Sequence, residues 1–168
     1  MPTARPGRPV LRLLSTLPAR EAPAPLVSFC SHCGSRPRPE AAPTASRVCA
    51  TCGLGLMLEA EADVAPDAGG AFLVLDRSLA VCAVSRAAEH LLATSEPDAV
   101  NRHVTALLMP ADTEDTGGQS LAMAVAWAAR GDSGTRTIVV RPAQAFGIRL
   151  TARITGCGPP RAALVVLE

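Results

Sequence analysis

Hydrophobic positions change period several times along the second half of the chain, and each change predicts an element. Residues 71–75, Ala-Phe-Leu-Val-Leu, form a continuous apolar run that reads as a buried strand. Asp76-Arg77-Ser78 is a turn, and 79–84 reads as a second strand close enough to form a hairpin with the first. Ser85 is placed to cap a helix, with Glu89 near the first turn and Val84, Ala87, Ala88 and Leu91 at helical spacing. Val100, Val104, Leu107 and Leu108 repeat that spacing and predict a second helix stopped by Pro110. A polar loop over 111–118, with Asp112, Glu114 and Asp115, leads to a third helix over 119–130. Leu121, Val125 and Ala128 share one face of that helix, and Gly131 closes it. The chain then turns to strands. Residues 135–141 are β-branched, and 146–155 alternate with period two. Phe146, Ile148, Leu150, Ala152 and Ile154 fall on one face, with Gly147, Arg149, Thr151, Arg153 and Thr155 on the other. A turn over 156–160 precedes a final strand over 162–167. The order ββ-ααα-βββ predicts an α+β domain, a five-stranded antiparallel sheet with helices over one face.

The first 47 residues are of another kind. Nine of the fifteen prolines fall there, and little in the segment can be buried, so residues 1–27 read as a disordered Arg/Pro-rich tail. The net charge of +1 hides an asymmetry: seven Arg against Glu21 and Glu40 give +5 up to Arg47, and nine Arg against thirteen acids give −4 beyond it. All sixteen basic groups are Arg, which reads as codon bias. Arg5, Arg8, Arg12 and Arg20 could touch an anionic partner, although a solvated tail explains them as well. With one Trp, three Phe and no Tyr, the chain lacks the aromatic platform of single-strand nucleic-acid binders. No apolar run approaches the ~20 residues of a membrane-spanning helix, and 10–17 is too short and charged for a signal-peptide core. A cytoplasmic protein without membrane contact is the expectation.

Cys30, Cys33, Cys49 and Cys52 form C-x2-C-x15-C-x2-C, with Gly34 and Gly53 after the second cysteine of each pair. Two intervening residues let a tight turn aim both sulfurs at one point. Two such knuckles supply four thiolates and leave no open position, the pattern of a structural zinc site. Disulfides would need an oxidising compartment, and a rubredoxin-like iron site uses the same spacing. His32 lies inside the first knuckle, pointing outward, and is not expected to be a ligand. Cys82 reads as a small core residue, Cys157 falls in the terminal turn, and Met123 and Trp127 read as a core or interface pair.

Residues 29–56 resemble the zinc-ribbon family. Residues 70–168 resemble the PAS domain, through Phe72-Leu73-Val74-Leu75-Asp76, Leu79-Ala80-Val81, the Ala87-Ala88-Glu89 helix with Ser85 where the family usually has Asn, Gly147-Ile148-Arg149-Leu150 and Leu164-Val165-Val166-Leu167-Glu168. Together they divide the chain into a tail (1–27), a zinc ribbon (28–58), a linker (59–69) and a PAS-like domain (70–168). The PAS resemblance implies a sensory or dimerisation module with a small-molecule pocket. The family's flavin-binding cysteine motif is missing, and the third helix carries no His for haem; His90 and His103 lie elsewhere. No phosphate loop, nucleophile elbow or His-Glu-x-x-His motif is present, so no enzyme is expected. The expected function is a non-enzymatic signalling regulator. Its ribbon contacts a protein partner, it pairs with itself as a homodimer, and Arg149, Thr151 and Arg153 offer a contact face. With no output domain after the last strand, a signal is expected to leave through that partner. The alternative is a transcription factor whose ribbon and Arg-rich tail touch nucleic acid, and a further idea is zinc or thiol-redox sensing.

Overall fold

A computed structural model describes residues 24–37, 46–111, 120–132 and 134–168. The tail arginines Arg5, Arg8, Arg12 and Arg20, and the loop acids Asp112, Glu114 and Asp115, lie outside the described residues. An antiparallel hairpin comes first, β1 (Leu26–Cys30) with β2 (Met57–Glu61). A larger antiparallel sheet follows. Its strands are β3 (Ala71–Leu75), β4 (Val81–Val84), β5 (Leu108–Pro110), β6 (Arg136–Pro142), β7 (Leu150–Cys157) and β8 (Ala162–Leu167), in the order β4-β3-β8-β7-β6-β5. Helices α1 (Arg86–Leu92) and α3 (Leu121–Arg130), with the short α2 (Glu96–Ala99), lie between β4 and β6 in sequence, and β5 separates α2 from α3. The α+β class stands, but this sheet has six strands, not five.

The extra strand comes from the stretch read as a second helix. Asn101 adopts a left-handed φ of 68°, which ends helical winding. Its N–H donates to Val81 O and that of Val104 to Leu79 O, so backbone bonds to β4 and its turn replace helical ones. A single 3-10 turn remains at Val104–Ala106, and Leu108–Pro110 pairs with Val140–Pro142 at the sheet edge, where prolines are tolerated. Val104, Leu107 and Leu108 are buried as their spacing required, though from three different local structures.

The caps follow local chemistry. Ser85, 1% exposed, accepts at Oγ from Ala88 N (3.2 Å) and Phe72 N (2.9 Å) and donates to Gly70 O (2.9 Å). Ser120 caps α3, and Gly131 closes it at φ 86°. In the β3–β4 turn, Asp76 Oδ1 accepts from Ser78 N (2.8 Å) and Ala80 N (3.0 Å), so strand pairing begins at Val81 rather than Leu79.

Both faces of the sheet are covered. Leu73, Leu75, Ala163, Val165, Leu167, Ala152 and Ile154 point to one side and pack on Ala88, Leu121, Ala124, Val125 and Ala128 of the helices. Phe72, Val74, Ala162, Leu164, Val166 and Cys157 point to the other and pack on Phe29, Leu58 and Ala60 of the β1–β2 hairpin and on Ala65. Phe29 meets Phe72 edge-on, with centroids 5.7 Å apart and an interplanar angle of 86°. Residues 59–69, read as a linker, contain the second half of β2 and a turn in which Val64 and Ala65 are buried.

The alternation over 146–155 holds only in part. Phe146 is 87% exposed and Ile148 42%, because Gly147 turns the chain at φ 83° and pairing with β6 starts at Leu150. The Arg141 guanidinium covers the Phe146 ring at 5.1 Å. β7 continues through Gly156 to Cys157, residues read as a turn. Met123 is exposed and Trp127 half-buried under the Arg136 guanidinium at 4.8 Å, so neither is core. Cys82 is exposed rather than core, while Cys157 is buried. Among the described residues no helix is long and apolar enough to cross a membrane.

Candidate metal centre

β1 delivers Cys30 at its last position, and the chain turns at once through Ser31, His32 and Cys33. Gly34 N donates to Cys30 O (3.0 Å), closing the first knuckle; Gly53 N donates to Cys49 O (2.8 Å), closing the second. Both glycines sit at left-handed φ, 70° and 71°, a conformation that costs glycine little. Gly34 is doubly constrained, since a Cβ there would lie 2.4 Å from Asp67 O. The knuckles are joined by Ser31, whose N donates to Leu56 O (2.9 Å) and whose Oγ accepts from Leu56 N (3.0 Å).

This brings the four cysteines together. All four sulfurs lie within 4.8 Å of one another, with Cys30–Cys52 at 3.6 Å and Cys33–Cys49 at 3.9 Å. Four thiolates about 2.3 Å from a tetrahedral ion stand about 3.8 Å apart, whereas a disulfide bond is about 2.05 Å. The four cysteines thus lie close enough to hold one metal ion, and the all-sulfur donor set fits soft or borderline cations. Burial pushes the Cys30 thiol up to about 12; the nearby thiols of Cys33 and Cys52 add to this, and the backbone N–H groups of Cys33 and His32 only partly offset it. Burial also raises Cys52, but the N–H groups of Gly55 and Leu54 and the thiols of Cys30 and Cys33 outweigh it and bring Cys52 down to about 6. The cluster therefore mixes a ready thiolate with a thiol that a cation must deprotonate.

His32 does not face the sulfurs. Its Nδ1 lies 3.7 Å from Glu96 Oε2 and makes no hydrogen bond, and its carbonyl accepts from Arg86 N (3.0 Å) at the start of α1. Arg153 does not offer an open contact face: its guanidinium pairs with Glu168 at 3.2 Å and donates to Asp63 O. Thr151 is half-buried, and Arg149 is exposed. His90 is exposed, and His103 caps the 3-10 turn. An open, polar depression between Glu89, His90, Ser95, Asp98 and Arg102 lies outside the core, over the α1–α2 connection.

Gly55 escaped the sequence reading. A Cβ there would lie 2.4 Å from Cys30 Sγ and 2.7 Å from His32 N, so the second knuckle can close over the first only with glycine. A Cys-Gly-x-Gly pattern was the available signal.

No protein-family model matches the chain, and no curated protein matches it. Among solved structures, it is similar to the PAS domain of nitrogen regulation protein NR(II) from Vibrio parahaemolyticus. The identity is 20% and the TM-score 0.43, over 60% of this chain and 88% of that one.

Proposed function

We propose that the chain is a non-enzymatic regulator in which a structural zinc centre at Cys30, Cys33, Cys49 and Cys52 is built onto a PAS-like sensory or dimerisation domain. The observation that carries the metal half is the convergence of four sulfurs at separations suited to one tetrahedral ion. The PAS-like half is supported by the element order, two strands, helical segments with the short edge strand β5 among them, and then three strands, with the helices packed against one face of an antiparallel sheet. Bound zinc supplies no reaction here; it ties the two knuckles together. Cys30, buried at the end of β1, and Cys49, buried in the second knuckle, hold it from the inside, and the half-buried Cys33 and Cys52 close it from the solvent side. Signalling through a protein partner or a second copy is the role such a module would serve.

Purification without a metal-affinity tag, followed by metal analysis and native mass spectrometry on one sample, tests both halves. One zinc per chain is expected, with loss of the metal in Cys30→Ser. One iron per chain would replace zinc in the reading, and no metal with four free thiols would overturn it. Extra mass on the intact protein would identify a pocket ligand, and a dimer without extra mass would favour the dimerisation role.

A further inference from the structure

The first knuckle makes backbone contacts that a self-contained ribbon would not need. The N–H groups of a helix's first turn have no partner within the helix. In α1, Ser85 Oγ takes Ala88 N, and the N–H of Arg86, the first helical residue, donates to His32 O in the knuckle at 3.0 Å. Gly69 N donates to Cys33 O at 3.0 Å, just before β3. Glu96, the first residue of α2, extends the contact: Oε2 faces His32 at 3.7 Å, Oε1 accepts from Val84 N at 3.2 Å, and its N–H donates to Glu89 Oε1 of α1 at 2.6 Å. The second knuckle is held differently. Its described backbone bonds run within its own loop, to the hairpin and to Ser31 of the first knuckle, and its reach to the larger sheet is Arg47 donating to Pro159 O.

With the knuckle closed, its His32 and Cys33 carbonyls face Arg86 and Gly69. Helices α1 and α2 have seven and four residues, lengths at which helices are marginal without outside support. All three helices have a capping serine, Ser85, Ser95 and Ser120, but α3 has ten residues, buries five of them in the core, and makes none of its described backbone bonds to the knuckle. We propose that the metal centre and the α1–α2 segment form one cooperative unit, so that metal occupancy sets the order of this segment and metal loss is relayed into the C-terminal domain through His32 and Cys33. This rests on the reading of the cysteine cluster as a metal centre. The ribbon then serves as an input that conditions the domain.

Hydrogen exchange on the full chain, metal-loaded and after chelation, tests it, with metal content measured first. On metal loss the amides of 86–99 are expected to exchange about tenfold faster or more, while α3 and β6–β8 keep their protection. Unchanged protection at 86–99 after the metal has left overturns the proposal. So does loss of protection everywhere, which makes the metal a general folding requirement rather than a local relay. A chain that takes up no metal fails at the metal analysis, and the underlying reading falls with it. The reverse direction gives an independent measure, because coupling between two sites is reciprocal. Glu96→Ala, in α2, is expected to lower zinc affinity about fivefold in competition with a chelator. Glu96→Gln, which keeps an acceptor for Val84 N, restores most of it, and Asp132→Ala leaves it unchanged. Equal affinity in Glu96→Ala and the parent chain would overturn the relay.

Discussion

Gly55 and the two cysteines of extreme thiol character set what the metal centre tolerates. Gly55→Ala places a methyl group against Cys30 Sγ and the His32 amide, both in the knuckle that must stay closed. We expect zinc affinity to fall at least about tenfold in a chelator competition, because ligand orientation is lost; unchanged affinity would show that the knuckle yields. Acidity acts on the same atoms. At neutral pH Cys52, near 6, is already largely thiolate, whereas Cys30, near 12, keeps its proton until a cation displaces it. Metal capture therefore releases the Cys30 proton, and affinity rises with pH by up to about tenfold per unit for each proton released. As pH falls through about 6, Cys52 is protonated as well and the loss steepens. Competition titrations over about pH 5 to 8 check this; a flat profile would contradict it.

Elements followed their local signals where neighbours in sequence supplied the constraint, and departed where a distant partner did. α1 begins at Ser85 and α3 ends at Gly131 because a cap needs only residues within one turn. The predicted helix over 100–108 failed because Asn101 and Val104 give their N–H groups to β4 and its turn instead. Period-two alternation likewise ran past the true strand, since Phe146 and Ile148 keep the rhythm without a sheet neighbour to bury them. The two exposed-versus-buried phenylalanines provide the check. Phe72→Ala, at 0% exposure and edge-on to Phe29, is expected to cost about 3–5 kcal/mol in urea unfolding. Phe146→Ser is expected to change stability by less than about 0.5 kcal/mol. Similar costs for both would place Phe146 back in a core.

At the scale of the molecule, the sheet is the middle layer of a sandwich, with helices on one side and the cysteine-bearing hairpin on the other. Thiol labelling reads this directly. Cys82 is exposed, but partial shelter and nearby Asp76 raise its thiol, so in the zinc-loaded protein one slow alkylation is expected there. Chelation should open the four cluster cysteines. Cys157, under the hairpin and pushed by burial up to about 12, is expected to resist until global unfolding. Early labelling of Cys157, counted by mass spectrometry, would mean that the hairpin does not cover that face.

The continuous apolar runs of β3 and β8 were legible as buried strands, and read more closely they also said that both faces are covered; strands with one wet face alternate. What covers the second face was not legible, because the hairpin contributes few large side chains, chiefly Phe29 and Leu58, and a proline-rich segment hid its role. Knuckle spacing, caps and strand periodicity were determined by the sequence alone, since each depends on residues a few positions apart. The sixth strand, the exposure of Phe146 and the seating of the first knuckle on α1 were decided only by the tertiary structure. Each depends on which surface lies opposite, and a local pattern carries no information about its partner.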